Sequence, residues 1–365
     1  MDFEFSADQE LLRETVRRFL AERAPLSYVR ARLDDDRGTS DEVWAGLAAL
    51  GVTGLLVPEE HGGAGMGMVE MGVVLEEMGR AAQPGPFRSS ALDTVALVRA
   101  VATAGEADEL LPSLAAGTRV GTVALLEPGH RYDWRSPETK GGPTLTGTKT
   151  HVPDGLAADL LLVVARADDG LSVFSVDRDA PGLEVTALPT IDGTSKQATV
   201  VLRDTPARRL GSGDATDEVA AAVDLMLVGL AVDGVGAAEQ ALALAVDYAK
   251  ARVQFDRPLG SFQAVQHLCA EMLQAVELAR AAAYYALWAA DSASPGERHR
   301  AAVMAKAYAS DALPRVGAAT IQVFGGIGFT WEHDAHLYYK RLLSLQRALG
   351  SPGDHLEQLA ALVLD

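Results

Sequence analysis

Two stretches concentrate residue types that can bind or transform a ligand. Arg252, Gln254 and Phe255 open the run RVQFDRPLGSFQAVQ, which also holds Phe262 and Gln263. Gln322, Val323, Phe324, Gly325 and Gly326 open the run QVFGGIGFTWEHDAHLYYKR. A guanidinium presents a planar fork of donors that matches paired oxyanion oxygens. Phe255 and Phe262 offer apolar faces, and Gly325 and Gly326 let backbone amides approach a ligand closely. Each feature has an ordinary alternative, since a lone arginine is usually solvated and a Gly–Gly pair is often only a helix break. Their joint occurrence favours the binding reading.

Other reactive types carry less. The lone Cys269 lies in the helical pattern HLCAEML and cannot form an internal disulfide. It reads as a small apolar residue of a protein in a reducing compartment. His333 and His336 are spaced three apart, but no third ligand accompanies them, so no metal site is expected. Lys and Arg total 32 against 50 Asp and Glu, a net charge of −18. That balance argues against nucleic acid or an anionic membrane as a general partner, although local donors can still hold an anionic ligand. The acidic start MDFEFSADQELL is unlike a signal peptide, and LAADLLLVVA is short and broken by Asp159, so no bilayer span is expected. Cytoplasm is the expected location.

The elements that must position these residues follow from periodicity. Residues 1 to about 115 read as helical. Ser6 is a candidate N-cap, with Leu11, Leu12, Val16, Phe19 and Leu20 on one face behind it. Helices are expected over Asp41–Leu50 and over MVEMGVVLEEMGRAA, separated by the turn-rich LLVPEEHGGAGMG. From about Val120 to Leu210, short β-rich runs alternate with turn residues, as in an antiparallel sheet or small barrel. Long Ala- and Leu-rich helices follow from Asp217, broken at Ser292–Glu297 and Phe324–Phe329. The expected fold is α+β, mostly α. Its three parts are a helical domain over 1–117, a central antiparallel β-domain over 118–212 and a C-terminal four-helix-bundle-like domain over 213–365.

The two runs, the loop PEEHGGAGMG and the helices–sheet–helices order resemble the acyl-CoA dehydrogenases over essentially the whole length. The resemblance implies FAD, with its ADP end held by one subunit through Arg252, Gln254, Phe255, Phe262, Gln263 and Gln322–Gly326. It implies that the isoalloxazine end is held by the β-domain of another subunit. There the family pattern T-E-P-x-A-G-S-D becomes LLEPGHRYDW, which keeps Glu127, Pro128 and Gly129 but has His130, Arg131 and Tyr132 in the small-residue loop. The stacking aromatic becomes His151, and the hydroxyl at the ring becomes Pro153, which lacks both hydroxyl and N–H.

Desaturation needs a carboxylate to take the α-proton. The family's usual Glu position, 25 residues after Phe324, is Leu349 here, and the other branch's position, 26 residues before Arg252, is Met226. Asp224 lies about 200° around the helix from Met226. Glu239 fits neither offset. The expected assignment is therefore a non-catalytic subunit, similar to those of actinobacterial α2β2 sterol side-chain acyl-CoA dehydrogenases. A homologous catalytic subunit would supply the flavin pocket, the Glu and the acyl-CoA cleft, with electron-transfer flavoprotein as acceptor. Three alternatives stay open: an active homo-oligomer using Glu239 or Asp224, another flavin chemistry such as oxidation or monooxygenation, and a flavin-free scaffold or acyl-CoA-binding protein.

Overall fold

The computed structural model describes residues 5–130 and 132–364. The first four residues of the acidic N-terminus, Arg131 and Asp365 lie outside the described residues. Helix α1 (Ala7–Arg23) starts at a capping box: Ser6 Oγ accepts from Gln9 N, and Gln9 Oε1 accepts from Ser6 N. Val16 and Leu20 carry its buried face, whereas Leu11 is 62% exposed and lies off it. Then come α2 (Leu26–Ala31), α3 (Asp41–Ala49), capped by Ser40, and α4 (Met68–Arg80). A π-helical turn over Arg88–Thr94 runs into α5 (Val95–Val101), followed by α6 (Ala104–Ala115).

The strands are β1 (Gly121–Ala124), β2 (Lys140–Gly141), β3 (Thr144–Pro153), β4 (Leu160–Ala167), β5 (Gly170–Asp177), β6 (Leu183–Leu188), β7 (Gln197–Pro206) and β8 (Arg208–Leu210). They form one sheet in the order β6-β7-β3-β2-β4-β5-β8, with β1 also against β4. The pairing is antiparallel except that β1 and β2 each run parallel to β4. The largely apolar runs of β1 and β4 fit this, because β1 is buried throughout and β4 is buried over its first six residues. Helices α7 (Thr216–Ala251), α8 (Gln263–Ser292), α9 (Pro295–Phe324), α10 (Ala335–Arg347) and α11 (Pro352–Leu364) complete the chain. Between α7 and α8 lies a hairpin of β9 (Val253–Gln254) and β10 (Arg257–Pro258).

Helix α7 corrects one expectation, since by length and composition it is apolar enough to cross a bilayer. Its most apolar window is 83% buried inside the protein, which is the environment of a core helix.

The chain groups into two compact units, each built from separate segments. The helical unit takes the chain up to Arg30, Gly72–Gln83 and everything from Leu227. There α4 and α7 touch backbone to backbone: a Cβ on Gly79 would sit 2.0 Å from Asp233 O, and one on Gly236 1.9 Å from Glu76 O. Only glycine fits either position. Asp233 is compensated by a two-pronged ion pair with Arg341 at 2.8 and 2.6 Å, nearly closed to solvent. Removing one partner of such a buried pair costs about 3–5 kcal/mol.

The sheet unit takes Ala31–Met71 and Pro84–Met226. Its core sets Leu145, Val152, Leu161, Val163, Phe174, Val176, Val200 and Leu202 face to face. Truncating Phe174 to Ala there would cost about 3–5 kcal/mol.

Candidate functional site

In the helical unit the two signature runs meet. Helix α9 ends at Gly325, whose φ of +63° with ψ of −141° is a backbone conformation open essentially to glycine alone. The Phe324 ring packs 4.4 Å from Tyr248 and 4.1 Å from His333. Tyr248 lies one turn before Arg252, whose backbone N–H donates to its carbonyl. Leu259 N–H in turn donates to Arg252 O at 2.8 Å, which folds the hairpin against the end of α7. Arg252, Gln254, Phe255, Gln263, Gln322, Gly325 and Gly326 are all exposed, and a Cβ on either glycine would meet nothing within 4 Å. Val323 and Phe324 are 7% and 4% exposed, so their side chains belong to the core and not to the open face.

The hairpin tip is strained. Phe255 and Asp256 are its two loop residues, with φ of +54° and +60°. Such turns favour Asn-Gly, so holding Phe there costs about 1–3 kcal/mol. Phe255 is 86% exposed, with its ring edge-on to Phe262 at 6.1 Å and the Arg257 guanidinium 3.8 Å from the Phe262 ring centre. Among the described residues, no ion pair or side-chain hydrogen bond engages Arg252. Helix α8 starts at Gln263 without a side-chain cap, leaving its first-turn N–H groups without a side-chain acceptor. An unengaged guanidinium, an uncapped helix start and an exposed glycine turn, on segments joined through Tyr248 and Phe324, suit an anionic ligand with an aromatic part.

The sheet unit contrasts with this. Glu127 accepts from Lys149 Nζ at 2.7 Å, from Glu138 N at 2.6 Å and from Thr139 N at 3.0 Å. Burial pushes the Glu127 carboxyl up, but Lys149 and the two backbone donors together hold it below its usual value. At Lys149 burial outweighs the carboxylate and pulls the ammonium down to about 8. Glu127 and Lys149 thus form a closed structural pair. His130 faces Glu138 at 3.3 Å. Tyr132 is half-buried, and Arg131 lies outside the described residues. His151 is exposed with φ of +52°, in an irregularity where β3 slips against β7 between Lys149 and Val152. Pro153 accepts from Thr122 Oγ1 through its carbonyl and has no N–H to give.

A buried polar cluster adjoins Pro153 with no forewarning in the sequence. Asp154, φ +51°, accepts from Ser89 Oγ at 2.7 Å, and Asp93 pairs with Arg88 on the π-helical turn. Asp93 Oδ1 has no hydrogen-bond partner among the described residues. Burial, opposed by Arg88 and reinforced by Asp154, raises the Asp93 carboxyl to about 6. The residues themselves were ordinary in type; only the tertiary fold joins them.

Neither base position holds a carboxylate. Met226 is 1% exposed. Leu349 is half-buried with φ of +55°, an unusual conformation for a branched side chain. Glu239 is fixed between Arg80 at 3.2 Å and Arg280 at 3.0 Å, in a network that also holds Glu76, Glu77, Arg17 and Tyr284. Asp224 is buried within α7. His333 Nδ1 accepts from Ala335 N at 3.1 Å and caps α10, and His336 is 3% exposed. Cys269 is a free, half-buried thiol pushed up by burial.

Comparisons with known proteins agree along the chain. The family models for the acyl-CoA dehydrogenase N-terminal, middle and C-terminal domains match residues 6–118, 122–205 and 220–364. The acyl-CoA dehydrogenase IpdE2 of Mycolicibacterium smegmatis is 34% identical over 98% of this chain and 99% of its own length. The acyl-CoA dehydrogenase FadE34 of Mycobacterium tuberculosis is 36% identical over 98% of this chain, but the match covers 48% of FadE34. A variant of the Tcur3481-Tcur3483 steroid ACAD superposes with a TM-score of 0.90 at 32% identity, covering 98% of both chains. The ChsE4-ChsE5 complex of Mycobacterium tuberculosis gives 0.91 at 27% identity, covering 100% of this chain and 99% of the other.

Proposed function

The chain belongs to the acyl-CoA dehydrogenase family, whose members are FAD-dependent, and from that premise we propose that it is one of two unlike subunits of an acyl-CoA dehydrogenase complex. FAD, when bound, supplies the hydride acceptor for α,β-desaturation of an acyl-CoA. This chain's part is to hold the ADP end. Arg252 offers a fork to phosphate oxygens, the start of α8 adds backbone donors, Phe255 adds an aromatic face, and Gly325 and Gly326 leave room for close approach. Gln254, Gln263 and Gln322 are the neighbouring amides. A homologous partner subunit supplies the ring pocket, the catalytic Glu and the acyl-CoA cleft in an α2β2 assembly. Electron-transfer flavoprotein is the acceptor, and a steroid-like side-chain CoA ester is the substrate.

The observation that carries this reading is the contrast between the two faces. Arg252, Gln254, Phe255, Gln263, Gln322, Gly325 and Gly326 are exposed, and among the described residues no side chain engages the Arg252 guanidinium, which fits a dinucleotide arriving from outside the chain. Pro153 has neither hydroxyl nor N–H to offer a flavin ring, and neither family base position, Leu349 or Met226, holds a carboxylate. The names of the similar structures, a steroid ACAD and a two-component complex, support both the substrate class and the unlike partner. FadE34, about half of which this chain spans, is long enough for a second unit of similar size.

The test is purification of the chain alone and together with its partner. Alone it is expected to be colourless and to reduce no dye with any acyl-CoA. A yellow, active homo-oligomer with stoichiometric FAD overturns the proposal.

A further inference from the structure

We infer that Arg30 is a positioning residue for the glycine turn at the ADP end, acting as a clamp on the segment that follows it; this rests on the assignment of that face to FAD. The turn is intrinsically loose. Gly325 and Gly326 carry no side chain to pack, and residues 326 and 327 are exposed. The segment's own bonds are short-range: Thr330 Oγ1 donates to Ile327 O at 2.9 Å, and Ala335 N–H donates to His333 Nδ1 at 3.1 Å. Among the described residues, one side chain from outside hydrogen-bonds to 325–334, and it comes from some 300 residues away. Arg30, on α2, donates from Nε to Asp334 Oδ1 at 2.6 Å and from Nη1 to Trp331 O at 2.8 Å. Its guanidinium is about one-third exposed, and so is the Asp334 carboxylate.

The two bonds fix the segment's far end as a rigid fork. Trp331 is held on its other side by α10, with the His336 ring edge-on at 4.7 Å and Lys340 Nζ 4.6 Å from the ring centre. His333, between the two clamped residues, packs against Phe324 at the near end of the turn with its ring tilted. Arg30 therefore defines where the main chain from Trp331 to Asp334 sits, and through His333 and Phe324 where Gly325 and Gly326 sit. Holding a binding loop in its bound form before the ligand arrives raises affinity by removing an ordering cost. Among the described residues, Arg30 makes no hydrogen bond or ion pair with the open ADP-end residues, so its role is indirect.

The experiment uses the co-purified complex and its FAD as probe. Arg30→Ala, Arg30→Lys, Asp334→Asn and the Arg30→Ala/Asp334→Asn pair are compared for FAD affinity and for backbone hydrogen exchange in residues 326–333. Charge-assisted bonds of this kind set the expected loss at about tenfold in FAD affinity for Arg30→Ala. Faster exchange is expected to be confined to 326–333, with partial rescue by Arg30→Lys and a double variant no worse than Arg30→Ala alone. Exchange that rises throughout the helical unit would show a general structural role and overturn the inference. So would unchanged affinity in Arg30→Ala. Arg252→Ala is the control that separates the two ideas. If it weakens FAD binding while Arg30→Ala does not, only the clamp is overturned; if neither does, the assignment of this face to FAD fails and the clamp falls with it.

Discussion

The open face of the helical unit and the Pro153 region of the sheet unit hold similar chemical groups in opposite states. In the first, no side chain among the described residues engages the Arg252 guanidinium, Phe255 is 86% exposed in a strained turn, and α8 begins without a side-chain cap. In the second, Lys149 is sealed against Glu127, Arg88 against Asp93, and Ser89 against Asp154. A charge kept in water without a partner gains nothing from the fold, and strain at Phe255 works against it. Such features persist where something outside the chain completes them. Charges paired internally are already satisfied and have little left to offer a ligand. Divided labour between unlike subunits is the arrangement in which one chain can keep the first state and lose the second.

The comparison can be broken most strongly at Arg252. In the complex, Arg252→Ala is expected to weaken FAD by about ten- to a hundredfold, the worth of a charge-assisted contact of roughly 1.5–3 kcal/mol. Arg252→Lys should recover only part, because an ammonium lacks the planar fork. Unchanged flavin retention in the alanine variant would refute the assignment. Phe255→Gly should move two quantities in opposite directions. It relieves the left-handed strain, raising unfolding stability by about 1 kcal/mol, while the lost aromatic face weakens FAD several-fold. A variant both less stable and unchanged in FAD affinity would show that the exposed ring is structural.

Smaller effects separate the units by pH. Burial pulls Lys306 down to about 7, where its ammonium donates to Ser310 Oγ at 2.6 Å and Leu345 O at 3.1 Å and makes no ion pair among the described residues. The folded state then binds fewer protons than the unfolded one between about 7 and the ordinary lysine range. Its contribution to stability is present at high pH and lost as pH falls toward 7. Lys306→Met should flatten denaturant-measured stability over that interval. Asp93 has the opposite sign. With its carboxyl raised to about 6, the folded state binds more protons, so stability falls as pH rises from the usual carboxylate range to 6. Asp93→Asn should remove that slope on the acid side alone. The smallest expected effect is at Leu349. Leu349→Glu supplies a carboxylate but leaves Pro153 and His151 in place, so flavin bleached per complex in a single turnover should not change. A doubling would mean that this chain's own cleft is intact.

The helices and the sheet were legible in the sequence, and the residues proposed for the Arg252 face stood out there, because their signals are local. Period-3.6 burial marked α4 and α7, alternation with turn residues marked β3 to β7, and Arg, Phe and Gly–Gly are types whose chemistry shows without a fold. What escaped depends on distant parts meeting. The parallel placement of β1 on β4, the Arg88–Asp93 turn beside Asp154, and the reach of Arg30 to Trp331 and Asp334 join residues whose identities say nothing of each other. The left-handed conformations at Phe255, His151, Asp154 and Leu349 were equally hidden, since only glycine advertises them. Val323 and Phe324 show the converse error: their motif is local, but which of its side chains turn inward is decided by Tyr248 and His333.

The most direct measurement is the FAD content of the co-purified complex, released by denaturation and counted against both chains. One FAD per pair of unlike chains is expected, with none on this chain when it is purified alone. Two FAD per pair would mean that the sheet unit holds a flavin ring despite Pro153, His151 and the closed Glu127–Lys149 pair, and would contradict divided labour at its centre.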